Sequence, residues 1–423
     1  MAQSFAIKGD FCYSKNENEL KFYENSFSVC IAGKSAGVFR ELPEKYRNLP
    51  LIDYTGKLIT PGLVDLHVHA PQYAFRGLCM DMELLDWLNA YAFPEEAKHA
   101  DIEYSRKSYS AFADDLKKGA ATRACIFATI HVPATLLLME LLENTGIVSM
   151  VGKVNMDRNS PDILREKSSE SSAKSTREWL ERCKSFKNTS PVLTPRFIPS
   201  CTDDLLQSLS KIQKEYRLPV QSHLSENKNE IDFVQKLYPK SSCYGEVYKQ
   251  FDLFGGETPA VMAHCVWSDD KETELLSKQK VFIAHCPQSN MNLSSGAAPV
   301  RRYLSAGIPV GLGSDVAGGA HTSIFRAMTD AIQVSKLRRV LTNENLAPLT
   351  LEEAFYMGTL GGGAFFGKVG SFEEGYEFDA LVTDDKPLAP PFELTLRERL
   401  ERVVYLADDR YITAKYVRGI SVF

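Results

Sequence analysis

This 423-residue chain predicts an α/β fold, a (β/α)8 barrel of the TIM type with a small β-module attached, and three observations predict it. Eight short apolar, β-branched runs follow one another, helical or polar stretches separate them, and both chain ends have a different texture. The runs are LVDLHVH (63–69), RACIFATI (123–130), VSMVGKVN (148–155), VLTPRFIP (192–199), VQSHLSE (220–226), VMAHCV (261–266), VFIAHCP (281–287) and VGLGSDV (310–316). Residues 202–216 illustrate the intervening helices. Thr202 reads as an N-cap, Asp203 and Asp204 occupy the first turn, and Leu205, Leu209, Ile212 and Tyr216 share one face. Such alternation is the signature of a parallel barrel, which takes about 250 residues and leaves room for a second module.

Residues 1–60 and 370–423 are assigned to that module, and residues 61–369 to the barrel. The first segment reads as short alternating strands with polar turns, and the tail returns to that texture in GYEFDALVTDD and RYITAKYVRGISVF. The two ends are expected to meet in a small β-sandwich. The stretch 166–176, rich in Lys, Ser and Glu, reads as a solvated helix face. TLGGGAFFG (359–367) has no Walker lysine after it and reads as a helix near the end of the barrel rather than a phosphate loop.

Hydrophobic content of 44% and charged content of 24% suit a soluble globular protein. A net charge of -5 and a pI near 6.0 leave no basic excess to neutralise phosphates, which argues against nucleic acid as a partner. MAQSFAIKGD lacks a basic region followed by a long apolar run, and VPATLLLMELL (132–142) is too short to span a bilayer. The nine cysteines include no CxxC pair, and Cys125, Cys265 and Cys286 lie inside apolar runs, as reduced thiols of a cytoplasmic protein would. The HxE and PCxxC strings of cytidine-deaminase zinc sites do not occur.

The histidines fall at informative places. His67 and His69 are read as ending the first strand, His223 the fifth, His264 the sixth, His285 the seventh and Asp315 the eighth. Residues at the carboxyl ends of barrel strands converge on one mouth, and a spacing of two puts His67 and His69 on the same face of a strand. His99, His131 and His321 read as ordinary core residues. Three imidazoles and a carboxylate, His67, His69, His223 and Asp315, suit Zn²⁺ or a similar ion such as Fe²⁺ and leave room for a water.

PGLVDLHVHAPQ (61–72) resembles the opening metal motif of the amidohydrolase superfamily, and HAPQ within it is similar to guanine deaminases. The resemblance continues through FATIH (127–131), TPRF (194–197), QSHLSEN (221–227), VMAHC (261–265), IAHCPQSN (283–290), GLGSDVAGG (311–319) and GSFEEGYEFDALV (370–382), so it covers nearly the whole chain. It implies metal ligands His67, His69, His223 and Asp315, and substrate contacts at Gln72, Arg196, Phe197 and Glu226, with His69, His223 and Asp315 also around the substrate. No lysine ends the fourth run, where dinuclear relatives carry a carbamylated one, so a single metal per subunit is expected.

The resemblance further implies a hydrolytic deamination of guanine to xanthine and ammonia. A bound ion lowers the pKa of water from about 15.7 towards ~7. Asp315 would accept the water's proton, Glu226 would protonate ring nitrogen N3 and then the departing amine, and His264 would orient the nucleophile. Arg196 offers only donors, so it suits a C6 carbonyl and opposes a C6 amine. Gln72 could read the ring-nitrogen edge, and Phe197 with Trp87, Tyr91 and Phe93 of DWLNAYAF (86–93) could close over a flat base, although such aromatics equally suit packing or a subunit contact. His285, Ser289 and Asn290 could lie near the site or merely shape a loop. Similar enzymes are commonly homodimers. Two alternatives stay open: deamination of another heterocycle, such as 8-oxoguanine, a triazine or an adenine-like base, and a barrel scaffold without catalysis.

Overall fold

The computed structural model describes residues 4–342 and 344–423. Phe5–Asn16 (β1), Glu19–Ile31 (β2), Lys34–Phe39 (β3) and Leu51–Pro61 (β4) open the chain. β1 pairs antiparallel with β2 and parallel with β4. β4 then runs through Gly62 into Leu63–His69 (β5), all of whose residues are buried, as befits a strand covered on both faces. There follow Ala121–Phe127 (β6), Val148–Gly152 (β7), Val154–Asn155 (β8), Thr189–Pro191 (β9), Thr194–Pro195 (β10), Val220–Leu224 (β11), Ala260–His264 (β12), Phe282–His285 (β13) and Val310–Leu312 (β14).

These strands form two parallel four-stranded sheets, β5-β6-β7-β9 and β11-β12-β13-β14, with β8 and β10 as a separate parallel pair. The sheets approach each other at both edges. A parallel bridge joins Leu193 to Val220, and at the other edge Asp315 N donates to His67 O (2.8 Å) and His69 N to Val316 O (3.0 Å). Val64, Leu66, Cys125, Val261, Ala263 and Ala284, drawn from both sheets, share one apolar cluster. Helices such as Ile102–Lys118, Val132–Glu143, Asp203–Tyr216 and Asp270–Gln279 separate the strands in sequence. In Asp203–Tyr216, the Thr202 hydroxyl accepts from Leu205 N (3.2 Å), and Leu205, Leu209 and Ile212 are buried, as the pattern predicts.

Several expectations need revision. The run 148–155 is broken into two short strands, and the run 192–199 keeps only Thr194–Pro195, with Thr189–Pro191 pairing ahead of it; Pro191 and Pro195, lacking an N–H, fit poorly in a continuous ladder. The eighth run stops at Leu312, so Asp315 sits on the turn beyond it, and Glu226 likewise lies beyond β11. Stretch 166–176 is not simply solvated: helix Ser169–Arg182 buries Ser172, Thr176 and Trp179. His321 is exposed rather than core. The glycines of TLGGGAFFG serve close packing, since a Cβ on Gly361 would stand 2.7 Å from Val310 O and one on Gly363 would stand 2.4 Å from Val369 O.

The two chain ends meet in a single hydrogen-bonded mixed sheet of order β17-β16-β15-β4-β1-β2-β3, where Ala380–Thr383 is β15, Ile412–Val417 is β16 and Ile420–Ser421 is β17. Phe5 packs edge-on to Phe378, and Phe11 edge-on to Phe372, so both ends contribute to one core. The tail is not wholly strand. Leu396–Leu406 is a helix with a Thr395/Glu398 capping box, and it buries Leu396, Leu400, Val403 and Val404. No disulfide joins cysteines among the described residues, and no helix among them is long and apolar enough to cross a membrane.

Arg123 of β6 fastens the end sheet to the parallel strands. Its Nε and Nη2 donate to Asp379 (2.6 and 2.8 Å), Nη2 also reaches Glu377 (2.6 Å), and Arg123 and Asp379 are each 1% exposed. Removing one member of such a pair leaves the other charge buried alone, which costs about 3–5 kcal/mol. Arg123→Leu is therefore expected to lower the melting temperature clearly more than Arg418→Leu, which removes only a half-exposed partner of Glu377. Equal melting temperatures in calorimetry would contradict this role.

Candidate metal centre and base pocket

β5 supplies His67 and His69 two residues apart, β11 supplies His223, and the turn after β14 supplies Asp315. Their donor atoms converge. His69 Nε2 lies 3.2 Å from both His67 Nε2 and His223 Nε2, and Asp315 Oδ1 lies 3.1 Å from His67 Nε2 and 3.5 Å from His69 Nε2. Four bonds of about 2.0–2.1 Å at tetrahedral angles set donor atoms roughly 3.3 Å apart, so the observed separations fit one small divalent ion. Burial holds all three imidazoles well below the usual histidine range, hence neutral and able to offer a lone pair. His223 Nδ1 donates to Arg196 O (2.7 Å), which turns Nε2 towards the shared centre.

The backbone and its neighbours fix this geometry. His264 (φ 74°) and Asp315 (φ 47°) are both left-handed, which turns the chain sharply where these strands end. Buried Asp65 accepts from His67 N (3.2 Å), Ser314 N (3.0 Å) and Ser314 Oγ (2.5 Å), tying β5 to the turn that carries Asp315. Phe127, at the end of β6, packs against His67 and His69 with ring centroids 5.0 and 4.6 Å away.

A pocket opens over these donors, lined by His69, Gln72, Arg196, Phe197, His223, Glu226, His264 and Asp315, with Leu84, Trp87, Leu88 and Leu293 as apolar wall. The site residues expected from sequence are thus brought together, with His67 alongside them. Glu226 is buried beside His264, 3.4 Å from Oε2 to Nε2, and Ser295 Oγ donates to its Oε1 (3.2 Å). Burial, reinforced by the Asp315 charge, pushes the Glu226 carboxyl well above its ordinary value. Burial also raises Asp315. His264 Nε2 stands 3.7 Å from Asp315 Oδ2, and its Nδ1 is bonded to Asn290 Oδ1 (2.9 Å).

Of the residues left open by the sequence, Trp87 lines the pocket, Phe93 stacks under the Arg196 guanidinium (4.8 Å), and Tyr91 is exposed and does neither. Asn290 holds His264, whereas buried His285 is not part of the pocket wall. Sequence reasoning missed Glu96 and Glu230. Glu96 binds Arg196 and Gln72, yet Pro-Glu-Glu-Ala (94–97) reads like any helix start. Glu230 lines the pocket and accepts from the Glu226 and Asn227 amides; burial, then the Glu226 charge, pushes it up to about 8. The capping box Asn227-x-x-Glu230 was its readable signal. The bond network around Asp65 generates an expected outcome: Asp65→Ala weakens metal affinity about 10–100-fold, as loss of an orienting partner does, measured by competition with a chromophoric chelator. Unchanged affinity would contradict it.

The chain is similar to known proteins over most of its length. The guanine deaminase of Dictyostelium discoideum is 41% identical over 381 residues, covering 88% of this chain and 84% of its own. A crystal structure of guanine deaminase from C. acetobutylicum with guanine in the active site superimposes with a TM-score of 0.96 at 47% identity, covering 99% of this chain and 100% of that one. The E. coli guanine deaminase structure does so with a TM-score of 0.87 at 33% identity, covering 99% of each. The amidohydrolase family model matches residues 58–422, which takes in β5, every converging donor and the strands β15–β17 of the end sheet; the chain belongs to the amidohydrolase family.

Proposed function

We propose that this protein deaminates guanine hydrolytically, giving xanthine and ammonia, at a site holding one zinc ion per subunit. The observation that carries the reading is the convergence of His67, His69, His223 and Asp315 beneath a pocket that also presents Gln72, Arg196 and Glu226. The guanine deaminases similar to this chain over most of its length support the choice of base. The architecture is read as a (β/α)8 barrel over residues 61–369 with a module from 1–60 and 370–423, in a cytoplasmic homodimer. A scaffold without catalysis is disfavoured because every proposed ligand and proton carrier is present and assembled.

When bound by these four side chains, zinc supplies a water acidic enough to act as nucleophile near neutral pH. The remaining chemistry belongs to the chain's own residues. Asp315 Oδ1 faces His67 and His69 while Oδ2 faces His264, so the second oxygen is placed to take a proton from the attacking water. His264, anchored through Nδ1 by Asn290, presents Nε2 to the O–H of that water and sets its line of approach. Glu226 keeps its proton because burial and the Asp315 charge disfavour its anion, so it can give that proton to guanine N3 as oxygen bonds to C2. The Glu226 carboxylate then collects the proton held on Asp315 and passes it to the amine. The C2–N bond breaks, ammonia departs, and the C2 hydroxyl proton returns to Glu226, restoring both carboxyl groups.

Base choice rests on Arg196 and Gln72. The guanidinium N–H groups not committed to Glu96 can meet a C6 carbonyl and would oppose a C6 amine donor to donor. A guanine-to-xanthine assay on chelator-treated protein is expected to show activity only after zinc is restored, with higher kcat/KM for guanine than for adenine, 8-oxoguanine or a triazine. A higher value for any other base would overturn the assignment. Glu226→Gln is expected to retain zinc and lose roughly 10²–10⁴-fold in kcat, the range of a general acid–base residue. Near-normal turnover in that variant would refute its role.

A further inference from the structure

Glu96 is 2% exposed and Arg196 is 3% exposed, and they form a bidentate pair: Nη1 to Oε2 at 2.5 Å and Nη2 to Oε1 at 2.9 Å. Glu96 Oε1 also accepts from Gln72 Nε2 (2.8 Å), while Gln72 Oε1 accepts from Ala317 N (3.2 Å). One carboxylate therefore holds both polar side chains proposed to read the base. Flipping the Gln72 amide would set its oxygen against the carboxylate and its NH₂ against the Ala317 amide, so its orientation is locked. Phe93, three residues before Glu96 on helix Phe93–Ala97, covers one face of the guanidinium. The helical segments Leu84–Trp87 and Leu88–Ala92 that lead into that helix contribute the pocket walls Leu84, Trp87 and Leu88.

This arrangement has a chemical consequence. A buried guanidinium without a counterion attracts an anionic ligand, whereas one already neutralised by a carboxylate offers only directed N–H groups. We infer that Glu96 is a positioning and specificity-determining residue, which neutralises Arg196 and presets it with Gln72, so that the pocket takes an uncharged 6-oxopurine base rather than a phosphorylated or carboxylated one. The inference rests on the deaminase reading and extends it to a residue outside the reacting set. Glu96 touches neither the proposed ligands nor Glu226; it acts through the two side chains it holds.

Binding of hypoxanthine, which carries the 6-oxo group and no amine to lose, can be compared with binding of unsubstituted purine by calorimetry in wild type and Glu96→Gln, with bound zinc measured in both. The variant is expected to keep its zinc and lose at least tenfold in the hypoxanthine-to-purine affinity ratio, a fraction of the roughly 10⁴-fold that a matched buried polar site can supply. Its loss with guanine should fall mainly on KM. An unchanged ratio in a folded, zinc-loaded variant overturns the inference while leaving the deaminase reading intact. A wild-type protein that turns over no guanine and binds no hypoxanthine overturns both. Should Glu96→Gln fail to fold, Glu96→Asp decides, because a carboxylate withdrawn by one methylene cannot hold both partners: a reduced ratio supports the role and an unchanged one overturns it.

Discussion

Three imidazole nitrogens and a carboxylate oxygen gathered around one point, with His69 Nε2 3.2 Å from those of His67 and His223 and Asp315 Oδ1 3.1 and 3.5 Å from those of His67 and His69, are the constraint on which the rest of this molecule depends. Neutral imidazoles facing each other lone pair to lone pair gain nothing from the contact; His67, His69 and Asp315 are buried away from water, and His223 is partly buried. A cation at their centre converts that cost into binding energy, so the surrounding structure has to hold the donors in register before the ion arrives. Parallel strands do so by delivering His67, His69, His223 and His264 to one end of two sheets. Asp65 and the left-handed turn at Asp315 then bring a carboxylate across from the neighbouring strand.

The same cluster sets the proton chemistry around it. Glu226 lies close enough to Asp315 to feel its charge and deep enough to lose most hydration, and both effects favour its acid form. Glu230 extends this carboxyl array away from the donors, with Tyr244 donating to its second oxygen at 2.9 Å. At Arg196, polarity takes another form. Arg196 and Glu96 cancel each other's charge, so that wall presents hydrogen-bonding direction with little net field. A site divided between proton-carrying acids and a neutralised donor wall suits an uncharged aromatic base.

How much of this was legible follows from what each residue does locally. The HxH pair, His223 and Asp315 could be read because metal chemistry restricts residue type and spacing at strand ends, and Thr202 could be read as a cap because capping is a short-range interaction. The break at Pro191–Pro195 and the helix Leu396–Leu406 were harder: the first turns on which N–H groups the ladder needs and the second was hidden by neighbouring strand-like segments. Glu96 was not legible. Its partner lies 100 positions away, and nothing local separates it from Glu95, which pairs with Lys98 instead.

The nature of the donor set can be measured directly. Alongside the proposed ligands, His67, His264, Cys286 and Asp315 form a second group close enough to hold an ion, and it includes a sulfur. X-ray absorption at the zinc edge of stoichiometrically loaded protein separates the two. The account predicts only nitrogen and oxygen scatterers at about 2.0–2.2 Å, three of them imidazole; a sulfur shell near 2.3 Å, placing Cys286 on the ion, would contradict it.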